Sequence, residues 1–158
     1  MWSGRDRMTF LPDVNVWLAA AVEAHVHHPA AKMWMDDLGM EDRAVFCRTT
    51  EQSFMRLLTV RIAPGFEPVT NARAVAVYRS WRLDPLVEFR PEPTGIGRCW
   101  PELAEQPTVS PKRWTDAYLA SFAIVGDYEL VTFDRGFRGF DHAGLRWRLL
   151  EAGPSAGA

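Results

Sequence analysis

Four acidic residues, Asp13, Glu51, Asp116 and Asp134, stand in contexts unlike those of ordinary surface carboxylates. Asp13 and Asp134 each follow a short apolar run, Phe10-Leu11-Pro12 and Leu130-Val131-Thr132-Phe133. Glu51 is followed at three, four and seven residues by Phe54, Met55 and Leu58, so on a helix it shares their face. Asp116 lies in line with Leu119, Ala120 and Ala123 on a segment that is apolar nearly all round. An ionised carboxylate is costly there unless it is paired or bound to a metal. Gathered together, such acids would repel and raise one another's pKa unless a cation held them. Hard oxygen ligands select Mg²⁺ or Mn²⁺ over zinc. Such an ion polarises a phosphoryl oxygen and lowers the pKa of a water for in-line attack. A glycosidase uses two carboxylates and has no need of a third and fourth. Singly, each acid has a plainer alternative. Asp13 and Glu51 could cap helices, worth roughly 0.3–1 kcal/mol near the positive helix end. Asp116 could pair with a buried Arg, and Asp134 could sit in a turn.

The expectation of a shared site comes from the elements that must position these acids. Thr9 to Asp13 reads as a strand, followed by a helix from Val14 to about Ala24 with Val14, Trp17, Leu18, Ala21 and Val22 at helical spacing. Pro29 suits the first position of a second helix reaching about Leu38. Ala44 to Cys47 reads as a strand, and Thr49 with Gln52 as a capping box for a helix reaching Arg61. A further helix is expected from Thr70 to about Trp81, and a strand over Val87 to Phe89. From Pro91 to Pro111 the chain reads as loop with a short helix near Glu102. Ser110-Pro111 opens a strong helix ending at Gly126, with Trp114, Ala117, Tyr118, Ser121, Phe122 and Val125 on its buried stripe. Strands are expected at Glu129 to Phe133 and, more weakly, Arg146 to Leu150. Alternating strands and helices predict an α/β fold around a parallel sheet of about five strands. Ligand sites in such sheets form at the carboxyl ends of the strands. That is where Asp13 and Asp134 fall, with Glu51 in the first turn of the helix after another strand.

Composition narrows the class. A chain of 158 residues, 47% hydrophobic and 24% charged, reads as one ordinary globular domain. Residues 1–8 read as a flexible extension, with Met8 a possible start, residues 9–150 as the domain, and residues 151–158 as a flexible tail. No apolar run reaches transmembrane length, and MWSGRDRM is not followed by a signal core and cleavage site, so a cytoplasmic protein without membrane contact is expected. Cys47 and Cys99 form neither a CxxC motif nor a zinc spacing. The formal net charge of −2 counts against a nucleic-acid partner only if the four acids are included. Setting them aside from the 20 Asp and Glu leaves 16 against 18 Lys and Arg.

Together, LPDVNVWLAA around Asp13, RTTEQSFMRLL around Glu51, WTDAYLASFA around Asp116 and LVTFDRGF around Asp134 resemble the PIN-domain nucleases, and within them the VapC-type toxins of bacterial toxin–antitoxin modules. The resemblance covers roughly residues 9 to 150 and rests on the order and spacing of all four strings. It implies a PIN-like three-layer sandwich and Mg²⁺- or Mn²⁺-dependent cleavage of single-stranded or looped RNA, leaving a 3′-hydroxyl and a 5′-phosphate. It also implies a homodimer, inhibited by a VapB-like antitoxin in a heterotetramer or larger complex. By position, Asp13, Glu51, Asp116 and Asp134 match the acidic quartet, with Asp13 and Asp116 as the firmest metal ligands. Asn15, in the Asp-x-Asn pattern, is expected to orient Asp13, and Thr132 to do the same. Pro12 departs from the pattern, since a proline in a central strand forgoes a ladder hydrogen bond.

Other features are given plainer readings. His25, His27 and His28 read as loop residues rather than a metal cluster, and most of the seven tryptophans, such as Trp17 and Trp81, as core. Arg48, Arg56, Lys112, Arg113, Arg135 and Arg138 flank the acidic motifs and could hold RNA phosphates, Lys112 and Arg135 foremost. The alternative to an endoribonuclease toxin is a catalytically inactive domain of the same fold that binds RNA or protein. A phosphotransferase with an aspartyl nucleophile would need a positioned Lys, and the chain has only Lys32 and Lys112.

Overall fold

Short apolar strands that alternate side chains between two faces can anchor two separate cores, and this chain uses them so. The computed structural model describes residues 6–151. Five strands, β1 (Thr9–Pro12), β2 (Arg43–Phe46), β3 (Val87–Phe89), β4 (Glu129–Thr132) and β5 (Trp147–Leu149), form one parallel sheet in the order β3-β2-β1-β4-β5. Among the described residues six α-helices accompany them: α1 (Val14–Ala21), α2 (His28–Asp36), α3 (Arg48–Leu58), α4 (Asn71–Arg82), α5 (Ile96–Ala104) and α6 (Pro111–Gly126). A 3-10 helix spans Arg135–Ala143. Phe10, Ala44, Phe46 and Val131 point to one face, where they meet Trp17, Trp34, Phe54, Leu58 and Tyr78 from α1 to α4. Their neighbours Leu11, Val45 and Leu130 point to the other, against α5, α6 and the 3-10 helix. The result is the expected three-layer sandwich.

The strand order places β1 and β4 side by side, although nearly the whole chain runs between them. β1 is followed by α1 on one face, whereas α6 leads into β4 from the other. The crevice at the carboxyl ends of β1 and β4 is therefore a switch point of the kind where α/β sheets hold their ligands.

Pro12 ends β1 in the middle of the sheet. Alternate N–H groups of a strand point to opposite neighbours, and that of Asp13 donates to Val131 on β4 at 2.8 Å. The missing Pro12 N–H would thus face β2, beyond the last register pair Phe10↔Ala44. The ladder bond that proline forgoes is therefore on the β2 side, and the pairing of Pro12 with Val131 on β4 does not depend on it.

Several boundaries differ from the sequence reading. α1 stops at Ala21 because Val22 is extended and its N–H closes the last turn on Leu18. α3 starts earlier than expected and ends at Leu58, with Cys47 rather than Thr49 as its cap. Cys47 N–H donates to the buried Thr50 hydroxyl at 3.0 Å, so the box is Cys47–Thr50. Trp114, expected on the buried stripe, is 56% exposed. It lies in the first turn of α6, where Trp100 of α5 leans on it edge-on. The histidines have structural contacts: His27 stacks on Phe133, and His28 Nδ1 donates to the Ala19 carbonyl. The flexible ends expected at residues 1–8 and 151–158 lie mostly outside the described residues. Met8 itself is tied in, its N–H donating to Asp42 and its carbonyl accepting from Arg43.

Trp17 is fully buried and stacks on Phe46 with ring centroids 3.8 Å apart. Trp17→Ala should cost about 3–5 kcal/mol in urea unfolding. Among the described residues the indole N–H finds no acceptor, so Trp17→Phe should cost far less.

Candidate active site

Asp13 stands one residue past the end of β1 and caps α1, its Oδ1 accepting from Val14 N–H at 2.7 Å. Its second oxygen accepts from the Thr132 hydroxyl at 3.1 Å. Thr132 is fully buried at the end of the adjacent β4, and its Oγ1 also accepts from Asp134 N–H at 3.0 Å. One side chain thereby links the two acids that leave neighbouring strands. Asp134 in turn caps the 3-10 helix through Gly136 N–H at 2.7 Å. A Cβ on Gly136 would stand 3.0 Å from the same carboxylate oxygen, so glycine permits the close approach.

Asp116 enters from α6. With Lys112, Thr115 and Leu119 it forms the face of that helix that looks onto the crevice. Asp13, Asn15, Asp116 and Asp134 line one cleft of about 260 Å³, closed on the α3 side by Thr49, Thr50, Ser53 and Arg56. Lys112 donates to Asp134 Oδ2, and its ammonium is 3.3 Å from Asp116 Oδ2. Asn15 lines the cleft with an exposed side chain, but Asp13 takes its hydrogen bonds from Val14 and Thr132 rather than from Asn15. Arg135 is exposed and does not line the cleft.

Glu51 does not join the other three acids. Thr49, Ser53 and Arg56, spaced by four and three, define the face of α3 toward the cleft. At about 100° per residue, Glu51 lies on the far side of the helix from that line. Its carboxylate is only 12% exposed, accepts from the Tyr78 hydroxyl and the Arg48 guanidinium, each at 2.5 Å, and so faces α4. Arg82 donates to the Tyr78 oxygen at 3.0 Å and completes the chain of contacts. The apolar residues that Glu51 keeps company with, Phe54 and Leu58, belong to the core beneath α4, not to the crevice.

The electrostatics of the cleft follow from this placement. Burial pushes the Asp13 carboxyl up to about 6, against the Val14 and Thr132 hydrogen bonds and with help from the charges of Asp116 and Asp134. Asp116 is raised as well, chiefly by burial, with Lys112 opposing. Burial also works against ionised Asp134, but the Lys112 ammonium and Gly136 N–H outweigh it and hold its carboxyl below the usual range. Among the described residues, no three His, Cys, Asp or Glu side chains stand close enough to hold one metal ion between them. One or two carboxylates with retained waters is the habitual donor set of Mg²⁺. The acids of this cleft, already drawing the Lys112 cation between two of them, suit that pattern.

The PIN domain family pattern matches residues 10–143. This chain belongs to the PIN-domain family. Ribonuclease VapC41 of Mycobacterium tuberculosis is 42% identical to this PIN domain over 144 residues, 89% of this chain and 97% of that protein. Ribonuclease VapC44 of the same organism is 30% identical over 81% of this chain and 87% of its own length. Among solved structures, VapBC2 of Rickettsia felis, bound to a DNA fragment from its promoter, aligns with TM-score 0.63 at 13% identity, over 91% of this chain and 100% of that one. VapC20 of Mycobacterium tuberculosis, a toxin that cleaves the sarcin–ricin loop, aligns with TM-score 0.62 at 17% identity, over 86% of this chain and 95% of that one. At those identities the structural likeness shows the fold, the same three layers and parallel sheet.

Two measurements check the electrostatics. Free of metal, Asp13 keeps its proton to about pH 6 when folded but only to the ordinary 3.8 when unfolded. Its protonation therefore favours the fold, fully below pH 3.8, and that contribution is lost as pH rises through 6. In chelator, Asp13→Asn should be more stable than wild type by about 1–3 kcal/mol at pH 7.5 and show no advantage near pH 4. Separately, Tyr78→Phe leaves the Glu51 carboxylate one donor short and should lower stability by about 1–3 kcal/mol.

Proposed function

We propose that this PIN domain is a metal-dependent endoribonuclease, the toxin of a VapBC-type module, whose cleft residues Asp13, Asp116 and Asp134 serve Mg²⁺ or Mn²⁺ at the scissile phosphodiester. The observation that carries it is the meeting of these three acids, from three separate segments, in one cleft at the β1/β4 switch point. The ribonuclease VapC relatives at 30–42% identity support the activity, and the VapBC structures support a VapB-like antitoxin partner. A cytoplasmic homodimer, bound by the antitoxin as a heterotetramer or larger complex, completes the proposal.

A bound divalent ion would polarise the phosphodiester and lower the pKa of the attacking water. The chain's own part is positioning and electrostatics. Asp13 is fixed in orientation by Val14 N–H and Thr132, so its outward edge presents to the cleft with little freedom. Asp134, held by Gly136, and Asp116 face it across the crevice and can accept protons from water. Arg56 and Lys112 flank the opening and supply positive charge for the RNA backbone. The uncharged wall of Thr49, Thr50 and Ser53 adds no further negative charge to repel a polyanion.

The turn of Glu51 toward Tyr78 favours a second reading to be tested alongside: a domain that keeps the fold and binds RNA or protein without cutting. Calorimetry with Mn²⁺ separates the two, since a binder without chemistry should take up no metal at millimolar concentration.

For the main proposal, Asp13→Asn and Asp116→Asn should each lower RNA cleavage about 100-fold or more with the fold intact by circular dichroism, and EDTA should stop the wild type. Glu51→Gln should retain cleavage within about tenfold while losing stability. Full metal-dependent activity in both Asp variants would reject the assignment.

A further inference from the structure

Lys112 is the second residue of α6, and its side chain is 64% exposed on a flexible four-carbon stem. It nevertheless reaches into the cleft to touch Asp134 Oδ2 and to approach Asp116 Oδ2 at 3.3 Å. These oxygens belong to segments 18 residues apart that would otherwise repel across the crevice. The ammonium thus neutralises them from the place between them, which is also where the donor oxygens of a divalent ion are drawn together. A divalent ion drawn to the same oxygens would meet the ammonium's charge at close range, and the two compete.

We propose that Lys112 is a displaceable internal counter-ion, which holds Asp116 and Asp134 together in the metal-free protein and must be dislodged before a divalent cation can bind. The proposal rests on the metal-dependent reading of the cleft. Lys112 is a positioning residue under it: it sets the metal concentration at which the site loads and keeps the empty acids in place. Once released, its stem leaves the charge at the cleft mouth, where an RNA phosphate would pass. A plain surface ion pair at the start of α6 would alter stability alone and leave metal affinity where it was.

The test is calorimetric titration of the full chain with Mn²⁺, without RNA, for wild type and for Lys112→Met, Lys112→Gln and Lys112→Arg. Removing the competing charge should tighten Mn²⁺ binding about fivefold in both the Met and Gln variants. The Arg variant, which keeps the charge, should bind no tighter than wild type. Metal-free melting should fall slightly in the Met and Gln variants, and the rise in melting temperature on adding Mn²⁺ should exceed that of wild type. If wild type binds Mn²⁺ and the Met and Gln variants bind it equally or more weakly, the counter-ion role is overturned while the metal-dependent reading stands. If neither wild type nor any variant binds Mn²⁺, that reading fails and takes this one with it.

Discussion

The cleft is governed by the cost of keeping three carboxylates partly out of water within range of one another. Asp13 bears most of it, at 9% exposure and with two like charges beside it. The fold meets that cost with fixed donors instead of a buried cation at Asp13: the Val14 N–H, at the positive end of α1, and the Thr132 hydroxyl. Among the described residues a cation pairs with the outer acids alone, Asp116 and Asp134, and it comes from the solvent side. The site is therefore held by fixed donors at its base and by one exposed, flexible side chain at its mouth.

Thr132 couples the sheet to this chemistry. Its side chain stands at the end of β4 between the two acids, accepting from one backbone and donating to the other carboxylate. Because β1 and β4 are hydrogen-bonded neighbours, with Pro12 in register with Val131, the ladder places Thr132 beside Asp13, and the Thr132 hydroxyl then holds Asp134 two residues further on. The same ladder explains how Pro12 is tolerated beside Asp13: the N–H it lacks would point at β2, whereas the bond that places Asp13 runs to Val131 on β4.

α3 shows how one helix divides between two tasks. Its hydroxyl-bearing side closes the cleft, while its opposite side carries Glu51 into a contact chain with Tyr78, Arg82 and Arg48. That chain ties α3 to α4 and fixes the rotation of α3 about its own axis. The wall facing the acids consequently carries no carboxylate, and the negative charge of the cleft is concentrated on three residues.

Most of the fold was readable from local pattern. The apolar runs ending at Pro12, Cys47, Phe89 and Phe133 announced the strands, and Ser110-Pro111 and Thr70 announced helix starts, because hydrophobic period and capping chemistry act within a few residues. The 3-10 helix over Arg135–Ala143 escaped notice because its spacing of three and its glycines resemble a loop. The placements of Asp13, Asp116 and Asp134 followed from strand ends and from an acid on an apolar helix. Glu51 looked like them because it shared the face of Phe54 and Leu58, and sequence cannot say whether such a face meets the crevice or a neighbouring helix. The amino-acid order by itself determined the elements, the α/β class and the acids available for chemistry. Only tertiary packing decided which acids meet, since that depends on how α3 is rotated against α4 and on which strands lie side by side, contacts between segments that no local pattern encodes.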